Sequence, residues 1–187
     1  MGPAEALFGS EAPPSRRFLE RVLGAVRLEP AAWEDIARDA GALGQAGIVV
    51  LGATLASSLI DAADQATLRD IAKSGLAMLA LWPMVAASSW AAARMLGHPF
   101  RFATSLRLVG FAMAPLVLNG LAAIPVPHFQ AVVRLLAWAL FFAALVAAMR
   151  QALRIETMRA ALVCTLAGLT LLFVVLTAVA AFSALPG

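Results

Sequence analysis

The sequence predicts an all-α polytopic membrane protein, a five-helix transmembrane bundle preceded by an N-terminal amphipathic interfacial helix. Three observations predict it. First, the 187 residues contain five charge-free runs: Ala40–Ile60, Ser74–Ala93, Leu108–Val133, Leu135–Met149 and Ala160–Gly187. About 18 such residues cross ~30 Å of hydrocarbon as a helix, and only the fourth run falls short of that. Second, the chain is 62% hydrophobic and 13% charged, against about 25% charged in ordinary soluble domains. Third, its arginines fall almost entirely in alternate gaps between the runs. A net charge of +3 with dispersed basic groups excludes a nucleic-acid surface.

In chain order, residues 1–14 read as a flexible tail, 15–40 as cytoplasmic amphipathic head helices and 41–183 as one membrane domain. The first 15 residues are polar, with Pro3, Pro13 and Pro14, so no cleavable signal peptide is expected. Ser15 can cap a helix starting at Arg16. Phe18, Leu19, Val22, Leu23 and Val26 form its apolar face, with Arg16, Arg17, Glu20, Arg21 and Arg27 on the remainder. Such a helix suits an anionic headgroup layer, with Arg16, Arg17 and Arg21 as anchors; equally, its apolar face can pack on the protein's own bundle. Glu29-Pro30 breaks it, and Pro30 fits the first turn of a second helix. There Trp33 and Ile36 share one side, with Trp33 expected as an interfacial anchor.

The spans are expected at about 42–60, 74–96, 108–125, 129–149 and 160–182. The first carries Gly44 and Gly47, and the fifth Gly168, small residues that let neighbouring backbones approach. Pro83 in span two and Pro115 in span three each remove a backbone hydrogen bond and are expected to kink their helices. Asn119 follows Pro115 by about a turn, and Pro125-Val126-Pro127 reverses the chain. The fourth charge-free run has only 15 residues, so its helix must begin near Phe129 and include Arg134, whose long side chain can snorkel to the interface. With the N-terminus in the cytoplasm, eleven basic residues lie inside and three (Arg69, Lys73 and Arg134) outside. The expected topology is N-in and C-out in a cytoplasmic (inner) membrane. Thirteen of the fourteen basic residues are arginine and alanine is abundant, which suggests a GC-rich bacterial genome.

No catalytic, cofactor-binding or metal-binding residues emerge. His98 and His128 fall on opposite membrane faces and cannot share a metal ion. Cys164, the only cysteine, can form no internal disulfide and has no histidine at its depth. The serines Ser57, Ser58, Ser88 and Ser89 have no buried base, and hydrogen bonding to the helix backbone or across to a neighbour explains them. Asp61 and Asp64 could share a divalent ion, but no second acidic cluster accompanies them and the charge count puts their loop outside. Pro83, Pro115, Asn119 and Arg134 are the candidates for a pathway through the membrane. No acidic residue lies deep in any span, so a proton- or cation-coupled carrier lacks its titrating group.

The layout of amphipathic head, Pro30-x-x-Trp33, five spans and a short uncharged end resembles the Yip family of five-span membrane proteins, in its bacterial branch. The stretch from Gly97 to Pro115 carries the resemblance: a glycine and basic loop, then Leu106-Arg107, then Gly110-Phe111-Ala112 and Pro115. The likeness extends from about Phe18 to Phe182. It implies an integral membrane protein that recruits or scaffolds other membrane proteins or lipids, without enzymatic activity. The eukaryotic members' acidic-Leu-Tyr-Gly-Pro motif is absent, and the chain has no tyrosine; a GTPase partner is therefore not implied. Partners are expected to be the bilayer, other membrane proteins or a second copy. The alternative is a small transporter or lipid conduit using kinked spans two and three, with Asn119 and Arg134 as polar contacts.

Overall fold

The computed structural model describes residues 14–63, 66–98, 100–124, 126 and 128–183, and of residues 14–16, 61–63 and 174–183 the backbone alone. The tail expected before Pro14, Pro125 and Pro127 of the reversal, and the side chains of Arg16, Asp61 and Asp64 lie outside that description. Seven α-helices are described: α1 (Pro14–Val26), α2 (Pro30–Arg38), α3 (Ala42–Ala63), α4 (Leu68–Met95), α5 (Phe102–Ala112), α6 (Phe129–Leu153) and α7 (Thr157–Ser183). A 3₁₀ helix, Ala114–Ala123, continues α5. No strand occurs among the described residues. Four segments are long and apolar enough to cross a membrane: Ala42–Ile60, Leu68–Met95, Phe102–Ala123 and Phe129–Leu153. In α7 the stretch Thr157–Phe173 is apolar.

The turn from α1 to α2 is set by Leu28, in left-handed conformation at φ 60°. Glu29 N–H then reaches back to Gly24 O (2.8 Å), a helix-ending bond that satisfies an orphan carbonyl. Pro30 starts α2 as expected, because a first-turn residue needs no N–H donor. Gly24 allows α1 and α2 to meet: a Cβ there would lie 2.5 Å from Ala32 Cβ.

Two span boundaries differ from expectation. α4 begins at Leu68 rather than near Ser74, because Thr67 caps it: the Thr67 hydroxyl oxygen accepts from Asp70 N–H (3.3 Å) and donates to the Asp70 carboxylate. The third segment begins at Phe102 rather than Leu108, so Arg107 is part of a helix. It also does not stay α-helical. Pro115 has no N–H to give the carbonyl four residues back, and the chain tightens to i→i+3 bonding from Ala114 onward, with Leu116 N–H on Met113 O (2.9 Å). α6 begins at Phe129 and contains Arg134, as its short charge-free run required.

α5 and the 3₁₀ helix form the centre. α3 and α6 pack along them, and α4 packs on α3, α5 and α7. Leu108, Val109, Phe111, Met113 and Leu116 are fully buried there. α1 and α2 lie across one end, tied to the bundle by a Gln151–Glu34 hydrogen bond and by Arg107 Nη2 on Ala37 O (2.7 Å). Ile60, Ala122 and Val133 cluster at the opposite end. Outward leucines such as Leu51, Leu55, Leu135 and Leu172 are exposed, as a lipid-facing surface requires.

Candidate functional site

Two polar constellations stand out, one under the α1–α2 pair and one inside the apolar segments. The first centres on Arg21. Its Nε donates to Asp35 Oδ2 (2.6 Å), its Nη2 to Asp39 Oδ2 (2.7 Å) and its Nη1 to Gln45 Oε1 (2.7 Å). Burial works against the Arg21 charge, but the two carboxylates outweigh it and raise its pKa. Asp39 is held below the usual carboxylate range by Arg21, and next by the N–H of Gly41. The cluster joins α1, α2 and α3.

This corrects two expected anchors. An interfacial anchor needs its side chain on the outside; Trp33 is 1% exposed and Arg21 5% exposed. Trp33 lies on the expected side of its helix, but that side faces protein. Arg21 falls three residues after Phe18 and four before Ala25, so it shares the inward face with them. Phe18 meets Phe111 with ring centroids 6.4 Å apart. α1 thus packs partly on the bundle while Leu19, Leu23 and Val26 stay exposed. Arg17 is half-buried.

The stretch from Gly97 to Pro115 turns out to be structural. Trp90 Nε1 donates to Phe100 O (3.0 Å), Trp82 Nε1 to Leu106 O (2.8 Å) and Ser105 Oγ to Ala86 O (2.8 Å). Gly97, at φ 79°, ends α4 in the left-handed conformation that favours glycine. Gly110 sits where a Cβ would come within 2.6 Å of Ala46 Cβ and 3.1 Å of Trp82 Nε1. These residues specify close helix packing and seat α2 on α5.

The second constellation brings together residues far apart in sequence. A cavity of about 450 Å³ is lined by Ser57 of α3, Ser74, Met78 and Leu81 of α4, Asn119 of the 3₁₀ helix, and Arg134 and Trp138 of α6, among others. Asn119 is 5% exposed, and its Nδ2 donates to Ser57 Oγ (3.3 Å). Its Oδ1 is buried with no partner among the described residues. Arg134 is exposed at the cavity. The structure therefore joins Asn119 and Arg134. Pro115, buried, and Pro83, exposed, do not line the cavity. Ser57, Ser74 and Trp138 carry no sequence signal for this role, because a lone serine in a span ordinarily bonds its own backbone, as Ser58 and Ser88 do here.

The glycines expected at helix contacts in spans one and five have open space beside them. A Cβ at Gly44, Gly47 or Gly168 would meet nothing within 4 Å. Among the described residues no group of three His, Cys, Asp or Glu side chains could hold a metal ion.

Compared with known families, residues 24–179 match the model of the Yip1 domain. No curated protein and no solved structure matches the chain.

Proposed function

The chain belongs to the Yip1 domain family, and from that premise we propose that it is a non-enzymatic scaffold of the membrane, working by association with other membrane proteins, with lipid or with a second copy. The observation that carries this reading is the open glycine face of α3. Gly44 and Gly47 share a stripe with the exposed Ile48, Leu51 and Leu55, and among the described residues no atom of another element lies within 4 Å of where their Cβ would be. Glycine inside a helix costs roughly 1 kcal/mol relative to alanine. Lipid gains nothing from it, whereas a second helix can come close over it.

The test is Gly44→Leu with Gly47→Leu, read by chemical crosslinking in membranes and by co-purification in mild detergent. Loss of crosslinked partner with unchanged thermal stability is expected. Full retention of the partner would remove the association reading.

Within this proposal α7 is the fifth span, the N-terminus is cytoplasmic and the C-terminus lies outside. The eleven-to-three division of basic residues supports that orientation in a bacterial inner membrane. No GTPase partner is proposed. A second reading, a small carrier or lipid conduit, is favoured by the cavity that joins Asn119 to Arg134. It requires substrate-dependent flux in proteoliposomes that falls when Asn119 becomes Leu.

A further inference from the structure

We infer that the cavity at Arg134 is the headgroup end of a phospholipid site, with the lipid phosphate on the Arg134 guanidinium and one acyl chain running inward between α4, α6 and α7. The inference needs the chain to lie in a bilayer; it does not depend on the association reading.

Arg134 is a cation in a membrane-crossing segment that makes no ion pair among the described residues, and none of the residues lining its cavity is acidic. An arginine in hydrocarbon costs several kcal/mol unless it reaches water or an anion. It lies five residues into α6, about 8 Å from the helix start at 1.5 Å per residue. That depth lets its side chain reach the level of lipid phosphates. Around it stand the hydroxyls of Ser57 and Ser74 and the amide of Asn119. Whichever way round that amide sits, the Ser57 hydroxyl engages one end and leaves the other unpaired.

Leu81 and Trp138 also line a second, apolar chamber of about 520 Å³ that continues past Phe141 and Leu145 of α6 and Gly168 of α7. From Arg134 to Leu145 is about 16 Å along a helix, close to half of the ~30 Å hydrocarbon layer. A polar chamber whose cation has no ion pair among the described residues therefore adjoins an apolar one the depth of a single leaflet. Free phosphate would fill only the first; a phospholipid matches both. The leaflet is the one on the side where α3 meets α4 and the 3₁₀ helix meets α6.

The test uses the purified full-length protein in mild detergent, titrated with phosphatidylglycerol, with a diacylglycerol of the same chains, or with inorganic phosphate, and read by native mass spectrometry. Phosphatidylglycerol should bind; the diacylglycerol should not, and millimolar phosphate should fail to displace the lipid. Arg134→Leu should weaken binding by about tenfold, the loss of one charge-assisted contact, and Arg134→Lys should retain most of it. Gly168→Phe, which fills the apolar chamber without touching Arg134, should also weaken it, so the site can be tested even if Arg134→Leu fails to fold. Equal binding of diacylglycerol, displacement by phosphate, or unchanged binding in a folded Arg134→Leu or Gly168→Phe would each overturn the inference. Leucine at Gly44 and Gly47 should leave lipid binding unchanged, which separates this site from the association face.

Discussion

Arg21 is where a single side chain decides how the α1–α2 pair is held. It is buried, yet its three acceptors Asp35, Asp39 and Gln45 come from two other helices and their connection. The folded pKa of Asp39 lies below its unfolded value. Its stabilising contribution is therefore complete above about pH 4 and is lost as pH falls through the folded pKa. Asp39 is 42% exposed, so the screened contribution is about 1 kcal/mol or less. Asp39→Asn should blunt the acid sensitivity of the α1–α2 segment, measured by limited proteolysis across pH 3–6. Arg21→Met should expose that segment to protease at neutral pH while α3 to α7 remain protected. Cleavage unchanged by Arg21→Met would show that the cluster is not what holds the head. The sequence made the helix legible but not the role of Arg21. An arginine on the edge of an apolar face suits a headgroup layer as well as a protein pocket, and the acids that decide between them lie 14 and 18 residues away.

At the scale of elements, Gly110 and Gly44 make a controlled pair. Both are glycines in apolar helices, but only Gly110 faces a neighbouring backbone, with Ala46 Cα 3.3 Å from where its Cβ would be. Gly110→Val should lower thermal stability by about 1–3 kcal/mol, as overpacking does, whereas Gly44→Leu should change it little. Equal effects on melting temperature would refute the distinction. Helix composition alone does not separate the two, since each reads as a small residue in a span. The start of α6 at Phe129 was legible because a 15-residue charge-free run cannot cross the hydrocarbon unaided. The start of α4 at Leu68 was missed: its signal is Thr67-x-x-Asp70, but charges at Arg69, Asp70 and Lys73 moved the expected start to Ser74. The change from α to 3₁₀ was not legible, because Pro115 announces a break without saying which geometry replaces the α-helix.

For the whole molecule, the alternation of arginines has a structural counterpart. The α1–α2 pair, the start of α5 and the end of α6 meet at one end, through Arg107 with Ala37 and Gln151 with Glu34. Single cysteines at Leu28 and Arg154, in a Cys164→Ser background, should react with an impermeant maleimide only after cells are opened. Cysteines at Thr67 and Val126 should react in intact cells. The reverse pattern would invert the topology. The all-helical membrane architecture could be read from composition and run length, because both follow from the solvent. The joining of Asn119 to Ser57 and Arg134 could not, since it depends on how three helices rotate about their axes.

The 3₁₀ helix also changes how far the third segment reaches. At about 2.0 Å per residue, against 1.5 Å in an α-helix, its ten residues cover about 20 Å instead of 15. With the twelve residues before it, the 22-residue segment Phe102–Ala123 extends to about 38 Å, while the 22 residues of α3 extend to about 33 Å. The two pack side by side, and with equal numbers of residues the third segment is the longer by about 5 Å. Pro115 therefore lengthens the third segment without adding a residue, and with both helices in one bilayer the extra length is taken up by tilt or by ends that reach past the hydrocarbon.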